Sequence, residues 1–270
     1  MEKKKVLVVT QEMKPYLNES PIAAIARQLP QYIMENGYEI RVLMPRFGNI
    51  NERRHRLHEV VRLSGINIVV ENDDYPLMIK VASLPGARMQ VYFLDNEDFF
   101  QRKSVFRDEN EKFHDDNAER MVFFCKGVLE TVKKFGWAPD IIHCHGWMTS
   151  LIPLYLKTAY KNDPIFNNSK VIYSVYGNEF EESMKDKLAP KALISSSMGA
   201  EDLKWFENAD NSGLNAGASR YADGIIVGSE NVDDELEKLL KSEEKPTLDY
   251  SNGENFLEDY SNFYQSILQE

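Results

Sequence analysis

Two histidines and a tryptophan mark the stretch of this chain whose residue types and spacing could do chemistry. In Asp140-Ile-Ile-His-Cys-His-Gly-Trp147, His143 and His145 close an apolar run, Gly146 turns the chain and Trp147 follows. Strand alternation sets both imidazoles on one side and Cys144 on the other. In an open parallel sheet, ligands are met just beyond the carboxyl ends of strands, which is where these three side chains would stand. Trp147 could offer an apolar platform or serve as half-buried core. A zinc site lacks a second ligand pair at any usual spacing. A serine nucleophile lacks its G-x-S-x-G elbow. Asp116 precedes an amphipathic segment and is suited to cap it, with Arg120 four residues on as a partner. Tyr16 and Phe47 are aromatic residues in loops.

The elements that must position these groups alternate between strand and helix. Val6–Thr10 reads as a buried parallel strand. After a polar loop broken by Pro15, Ser20-Pro21 makes a cap and first-turn pair. Ile22, Ile25, Leu29 and Ile33 then form one helical stripe, in which Pro30 is expected to cause a kink or interruption. Glu39–Met44 gives a second strand, and no G-x-G-x-x-G lies at the first strand–helix turn. Between residues 57 and 96 short strands are expected at Val60–Leu63, Ile66–Glu71, Leu77–Ser83 and Arg88–Asp95, an antiparallel extension. Asn117–Phe135 carries Met121, Phe124, Val128, Val132 and Phe135 on one face and ends at Gly136. Further strands are expected at Ile141–His145, Lys170–Tyr176 and Gly224–Gly228, and helices at 149–159, Ala216–Tyr221 and Val232–Leu240. The pattern predicts an α/β protein: a single Rossmann-like, doubly wound, mostly parallel sheet with a small antiparallel β extension. Residues 1–240 form the domain, and 241–270 a polar linker and a last helix with Phe256, Tyr260, Phe263 and Ile267 in register.

Composition bounds the function. With 270 residues the chain can bury a sizeable core, and a formal charge of −11 disfavours nucleic acid and anionic membranes as partners. No apolar run approaches the roughly 18 residues of a membrane span. The opening run is too short for a signal sequence, so a cytoplasmic protein with two reduced cysteines, Cys125 and Cys144, is expected.

Several motifs, arriving in order over residues 4–240, resemble the amino-terminal half of bacterial glycogen synthases and plant starch synthases. They are Glu12-x-x-Pro15-Tyr16 with Leu29-Pro30, then Gly37-x-Glu39-x-Arg41-Val42-x-x-Pro45-Arg46-Phe47-Gly48. Asp116-Asn117-x-x-Arg120-x-x-Phe123 and Asp140-Ile-Ile-His-Cys-His145-x-Trp147 follow. Asn215-x-Gly217 and Tyr221-Ala-Asp-Gly224 close the series. The resemblance implies one half of a two-domain GT-B glycosyltransferase that moves glucose from ADP-glucose to an α-1,4-glucan. This half would carry the acceptor-glucan surface and one wall of the cleft. It also implies His145 and Asp116 as candidate catalytic groups. Asp116, Asn117, Arg120, His145, Trp147 and Tyr16 become candidate sugar contacts, with no metal and no further cofactor.

The sequence departs from that pattern where the family places a Lys-x-Gly-Gly-Leu loop against the donor diphosphate. Asn18-Glu-Ser-Pro-Ile22 stands there, which loses a lysine, adds a carboxylate and removes one backbone donor at Pro21. His-Asp-Trp-His reads His145-Gly-Trp-Met148, Thr-Ile-His-Asn reads Ser174-Val-Tyr-Gly177, and no second nucleotide-binding half follows. Two readings result. The preferred one is a degenerate glucan-binding or regulatory module of glycogen metabolism. The alternative is an active glycosyltransferase whose donor half comes from a partner chain. A third arrangement pairs the chain with itself or a partner protein across a bare apolar cleft face.

Overall fold

The computed structural model describes residues 3–177, 180–242 and 244–269. Among these residues ten strands build one sheet. They are β1 (Lys5–Thr10), β2 (Glu39–Pro45), β3 (His58–Glu59), β4 (Ile66–Val70), β5 (Asp73–Ser83), β6 (Gln90–Asp95), β7 (Ile141–His145), β8 (Lys170–Val175), β9 (Gly224–Val227) and β10 (Thr247–Leu248). The helices are α1 (Ile22–Glu35), α2 (Glu52–His55), α3 (Glu97–Phe100), α4 (Asn117–Phe135), α5 (Leu151–Lys157), α6 (Lys185–Ala192), α7 (Asn211–Tyr221), α8 (Asp234–Ser242) and α9 (Phe256–Gln269).

The order β10-β9-β8-β7-β1-β2-β6-β5-β3 explains where the site must lie. From β1 the chain winds outward through β2 and β6, then returns and winds the other way through β7, β8, β9 and β10. The reversal between β1 and β7 is a topological switch point, and a crevice opens there beyond the strand ends. β7 and β1 pair in parallel, with Thr10 opposite His145 and Val8 opposite His143. All five residues of β7 are buried because both faces are covered. Cys125 of α4 bonds the Met148 carbonyl on one face, and Tyr264 of α9 reaches His143 on the other.

Several expectations need correction. β6 is not part of an antiparallel extension: it pairs with β2 in parallel and belongs to the main sheet. Only β3, β4 and β5 are antiparallel additions. Val60–Leu63 is mostly turn, and the strand precedes it at His58–Glu59. Pro30 does not break α1, which runs unbroken while Ala26, Leu29, Pro30 and Ile33 bury one stripe. Packing of that stripe outweighs the one missing hydrogen bond. α7 starts five residues earlier than its apolar period suggests, because Asp210 caps it by accepting from the Gly213 amide at 2.8 Å. The polar stretch after α8 is not simply linker. Thr247 and Leu248 pair with β9, and the Lys245 ammonium donates to the Ser219 and Ala222 carbonyls at 3.0 Å, closing the end of α7. Part of that stretch, Glu243, lies outside the described residues.

α9 docks on the sheet beside α1. Tyr264 and Ile267 are fully buried, and Ile267 and Phe263 lie against Gly224, where any side chain would collide with them. No residue of α9 lines the cleft at the switch point.

Candidate functional site

The cleft encloses about 340 Å³ beyond the carboxyl ends of β1, β7 and β8. Gln11 and Glu12 follow β1, Glu19 to Ile22 form the entry to α1, Trp147 follows β7, Tyr176 and Gly177 follow β8, and Phe106 and Ser229 complete the walls. Gly146 makes the turn from β7 possible. Its φ of +84° is in the left-handed region, and a Cβ there would sit 2.3 Å from Gln11 Oε1. That close approach lets Gln11 Oε1 accept from the Met148 amide at 3.3 Å.

The entry loop to α1 has its donors already engaged. Glu12 Oε2 accepts from the amides of Glu19 at 2.7 Å and Ser20 at 3.0 Å. Its Oε1 accepts from the Ser20 hydroxyl. Pro21 has no amide hydrogen, and the Ile22 amide donates to Ser20 Oγ at 3.2 Å. The amides of Ala23 and Ala24 donate to the Ser20 and Pro21 carbonyls. Every amide from Glu19 to Ala24 is therefore spent. Burial pushes the Glu12 carboxyl above its ordinary range, while these hydrogen bonds pull it back down. No lysine or arginine stands among the described residues that line the cleft, whereas two carboxylates do. A helix start with free amides attracts anions; this one does not present them.

His145 is fully buried and forms no wall of the cleft. Its Nδ1 lies 2.9 Å from the Tyr176 hydroxyl, and its ring centroid is 3.9 Å from that of His143. Nε2 has no hydrogen-bond partner among the described residues. Burial pushes its pKa down to about 3, which holds the ring neutral near pH 7. His143 is bound on both nitrogens, Nδ1 to the Tyr264 hydroxyl at 2.6 Å and Nε2 to Ser174 Oγ at 2.7 Å. The alternation read from the sequence places both rings together, as found.

Trp147 reaches the cleft but is only 2% exposed. Phe106 and Phe180 cover it at centroid distances of 4.8 and 5.0 Å, and Phe113 stacks on Phe180. Two ion pairs strap the segments carrying these rings. Arg107 grips Glu182 with contacts of 2.5 and 2.8 Å, and Lys187 holds Asp115 at 2.9 Å.

The remaining candidates do not line the cleft. Arg120 does not pair with Asp116 along the helix. It is buried, donates to the Phe99 and Val105 carbonyls and to Asn117 Oδ1, and lies over Phe47 and Phe100. Burial lowers its pKa to about 9. Asp116 makes no cap bond and is taken instead by the Arg102 guanidinium, one contact measuring 2.7 Å. Asn117 donates to the Phe106 carbonyl at 3.0 Å, fixing a cleft wall at one remove. Tyr16 packs edge-on against Phe93 and His55, and burial pushes its hydroxyl up to about 12. Phe47 is fully buried. Residues that only the structure assigns to the cleft are Gln11, Phe106, Tyr176 and Ser229. Tyr176 was visible as a substituted position; Phe106 lies in an aperiodic segment and gave no signal.

A doubly wound parallel sheet with a crevice at its switch point and a helix start on the crevice rim is the architecture of one half of a GT-B glycosyltransferase. The chain superposes on the catalytic domain of starch synthase IV from Arabidopsis thaliana, solved with ADP and acarbose bound. The TM-score is 0.74 at 17% identity, covering 93% of this chain and 52% of that one. The family model of the starch synthase catalytic domain matches residues 5–245. The chain belongs to that family. It is 38% identical over 231 residues to the glycogen synthase of Chlorobium limicola, covering 82% of this chain and 47% of that protein. It is 43% identical over 173 residues to the glycogen synthase of Pelodictyon phaeoclathratiforme, covering 64% and 35%. The chain therefore spans half or less of these relatives' length. No helix among the described residues is long and apolar enough to cross a membrane.

Proposed function

We propose that this chain is a glycogen synthase-like module that holds a neutral α-1,4-glucan end in the cleft and does not take up ADP-glucose. One observation carries this reading: at the entry to α1 every amide from Glu19 to Ala24 is already bonded or absent. Transfer from a sugar nucleotide needs the diphosphate held and its growing charge neutralised. Among the described residues lining the cleft, the entry to α1 offers no free backbone amide and no side chain offers a cation, and Glu19 adds negative charge at the rim. A neutral sugar meets no such penalty. Phe106 gives it an apolar wall, and the oxygens of Gln11, Tyr176 and Ser229, each already bonded within the chain, keep a second lone pair for a sugar hydroxyl. His145, neutral and closed behind Tyr176, serves as structure in this reading.

Calorimetry separates the ligands: maltoheptaose is expected to bind and ADP-glucose to give no heat above dilution. Tighter binding of ADP-glucose than of maltoheptaose would sink the proposal.

A second reading follows from coverage. Because the chain matches half or less of its relatives, a partner chain could supply the donor-binding half. The exposed large apolar side chains, Val61, Val69, Leu193 and Tyr250, are none of them in the cleft walls, so the apolar face expected for such pairing is not at the cleft among the described residues. The first reading is preferred for that reason.

A further inference from the structure

The chain has three tryptophans, and two are buried, Trp137 at 5% and Trp147 at 2% exposure. Trp205 is half-exposed, in the short 3-10 helix Ala200–Phe206 ahead of α7. Its indole N–H has no partner among the described residues and is open to a ligand. It borders a separate cavity of about 280 Å³. Leu236 and Leu239 of α8 and the Gly213–Ala216 surface of α7 give the cavity an apolar floor. Asn208 and Ser212 stand on its rim, and neither side chain hydrogen-bonds within the described chain. The two rim charges are neutralised, Lys204 by Glu201 at 3.5 Å and Glu207 by Lys185 at 3.1 Å. The Arg220 guanidinium and the Lys204 ammonium both lie over the Trp205 ring, at 5.1 and 5.6 Å, and steady it.

An aromatic ring, an apolar floor, unengaged amide and hydroxyl groups and lining side chains of balanced charge match the surface of a pyranose. The C–H face of the sugar would pack on the indole, and its hydroxyls would meet Asn208, Ser212 and the indole N–H. The volume is below the ~300–1,000 Å³ of pockets that enclose drug-sized ligands, which suits one ring better than a nucleotide. We propose that the Trp205 cavity is a second sugar site, separate from the cleft, which takes one glucose unit of a neutral α-glucan. Two sites on one chain would favour a branched or long polymer over a short oligosaccharide through effective concentration. The inference rests on the reading above only for its choice of ligand.

Intrinsic fluorescence tests it, because Trp205 is the tryptophan that solvent reaches. Maltotriose is titrated into the wild type, Trp205→Phe, Trp205→Ala and a cleft-filling Pro21→Phe variant, with acrylamide quenching read throughout. Maltotriose is expected to shield the wild type and Pro21→Phe from acrylamide and to leave the acrylamide quenching of Trp205→Phe unchanged, since its two remaining tryptophans are buried. Calorimetry should show about a tenfold weaker second site in Trp205→Ala, from the lost ring contact. Absence of shielding in the wild type, shielding that survives in Trp205→Phe, or shielding lost in Pro21→Phe would each overturn the second site. Failure of Trp205→Phe to bind maltoheptaose by calorimetry would instead count against the cleft, so the two proposals fail separately.

Discussion

Rebuilding the loop that enters α1 should create an ADP site. In the quadruple variant Asn18→Lys, Glu19→Thr, Ser20→Gly, Pro21→Gly, position 21 regains an amide hydrogen. Loss of the Ser20 hydroxyl also releases the Ile22 amide, which it now holds at 3.2 Å. Two backbone donors then face the cleft, while Glu12 keeps its bonds to the amides of residues 19 and 20. A charge-assisted hydrogen bond contributes about 1.5–3 kcal/mol net. Taking the lower figure twice gives ~3 kcal/mol, and at ~1.4 kcal/mol per decade that is on the order of a hundredfold in Kd. The lysine and the lost carboxylate act through solvent and should appear as a salt dependence rather than a large further gain. Pro21→Gly alone returns one donor and should give roughly tenfold. Isothermal titration of ADP into wild type, single and quadruple variants, at low and at physiological ionic strength, measures each step. A quadruple variant with an unchanged unfolding transition that binds ADP no better than wild type would refute the reasoning about the loop.

Acid should unfold the protein earlier than its carboxylates require. His145 has its pKa depressed by burial to about 3 against about 6.5 when unfolded, so the unfolded state binds the extra proton between those values. Its stabilising contribution is complete above pH 6.5 and is lost as pH falls toward 3, on the order of 5 kcal/mol in all. Urea midpoints from pH 7.5 to 4 should fall steeply in the wild type and less so in His145→Asn; parallel curves would contradict this. Gly146→Ala forces a side chain onto Gln11 at positive φ and should cost about 2 kcal/mol or more by chemical denaturation. An unchanged midpoint would show that the turn relaxes freely. Arg120→Met leaves the Phe99 and Val105 carbonyls without their donor, for a loss of about 2–4 kcal/mol. Hydrogen exchange should quicken first in residues 97–116, and a uniform increase across the chain would argue that Arg120 does not specifically hold that segment.

Much of the fold was legible because periodicity reports burial directly. β1, α4, β7 and α9 carry unbroken apolar patterns and were found at or near the residues where those patterns lie. β6 was misassigned because a run such as Val91–Leu94 looks the same whether its neighbour is parallel or antiparallel; only pairing with β2 decides. α7 was shortened because Asn211, Ser212 and Gly213 weaken its period, and the Asp210 cap outweighs them. The site was less legible. Arg120 and Asn117 match a family motif, but whether a polar side chain faces a ligand or a carbonyl 15 or 21 residues away depends on the path of residues 97–116, which has no period. Tyr16 is a similar case: a loop aromatic is exposed or core according to what folds over it. The altered Asn18–Ile22 loop was the clearest signal, because proline and serine act on the backbone locally and their effect needs no tertiary context.

Glucose transfer is the direct test of whether the donor site is closed. Purified wild-type chain is incubated with radiolabelled ADP-glucose and maltoheptaose, and label in the lengthened glucan is counted against a blank without protein. No incorporation is expected, while the same preparation binds maltoheptaose by calorimetry. Incorporation above the blank by the chain alone would contradict a closed diphosphate site.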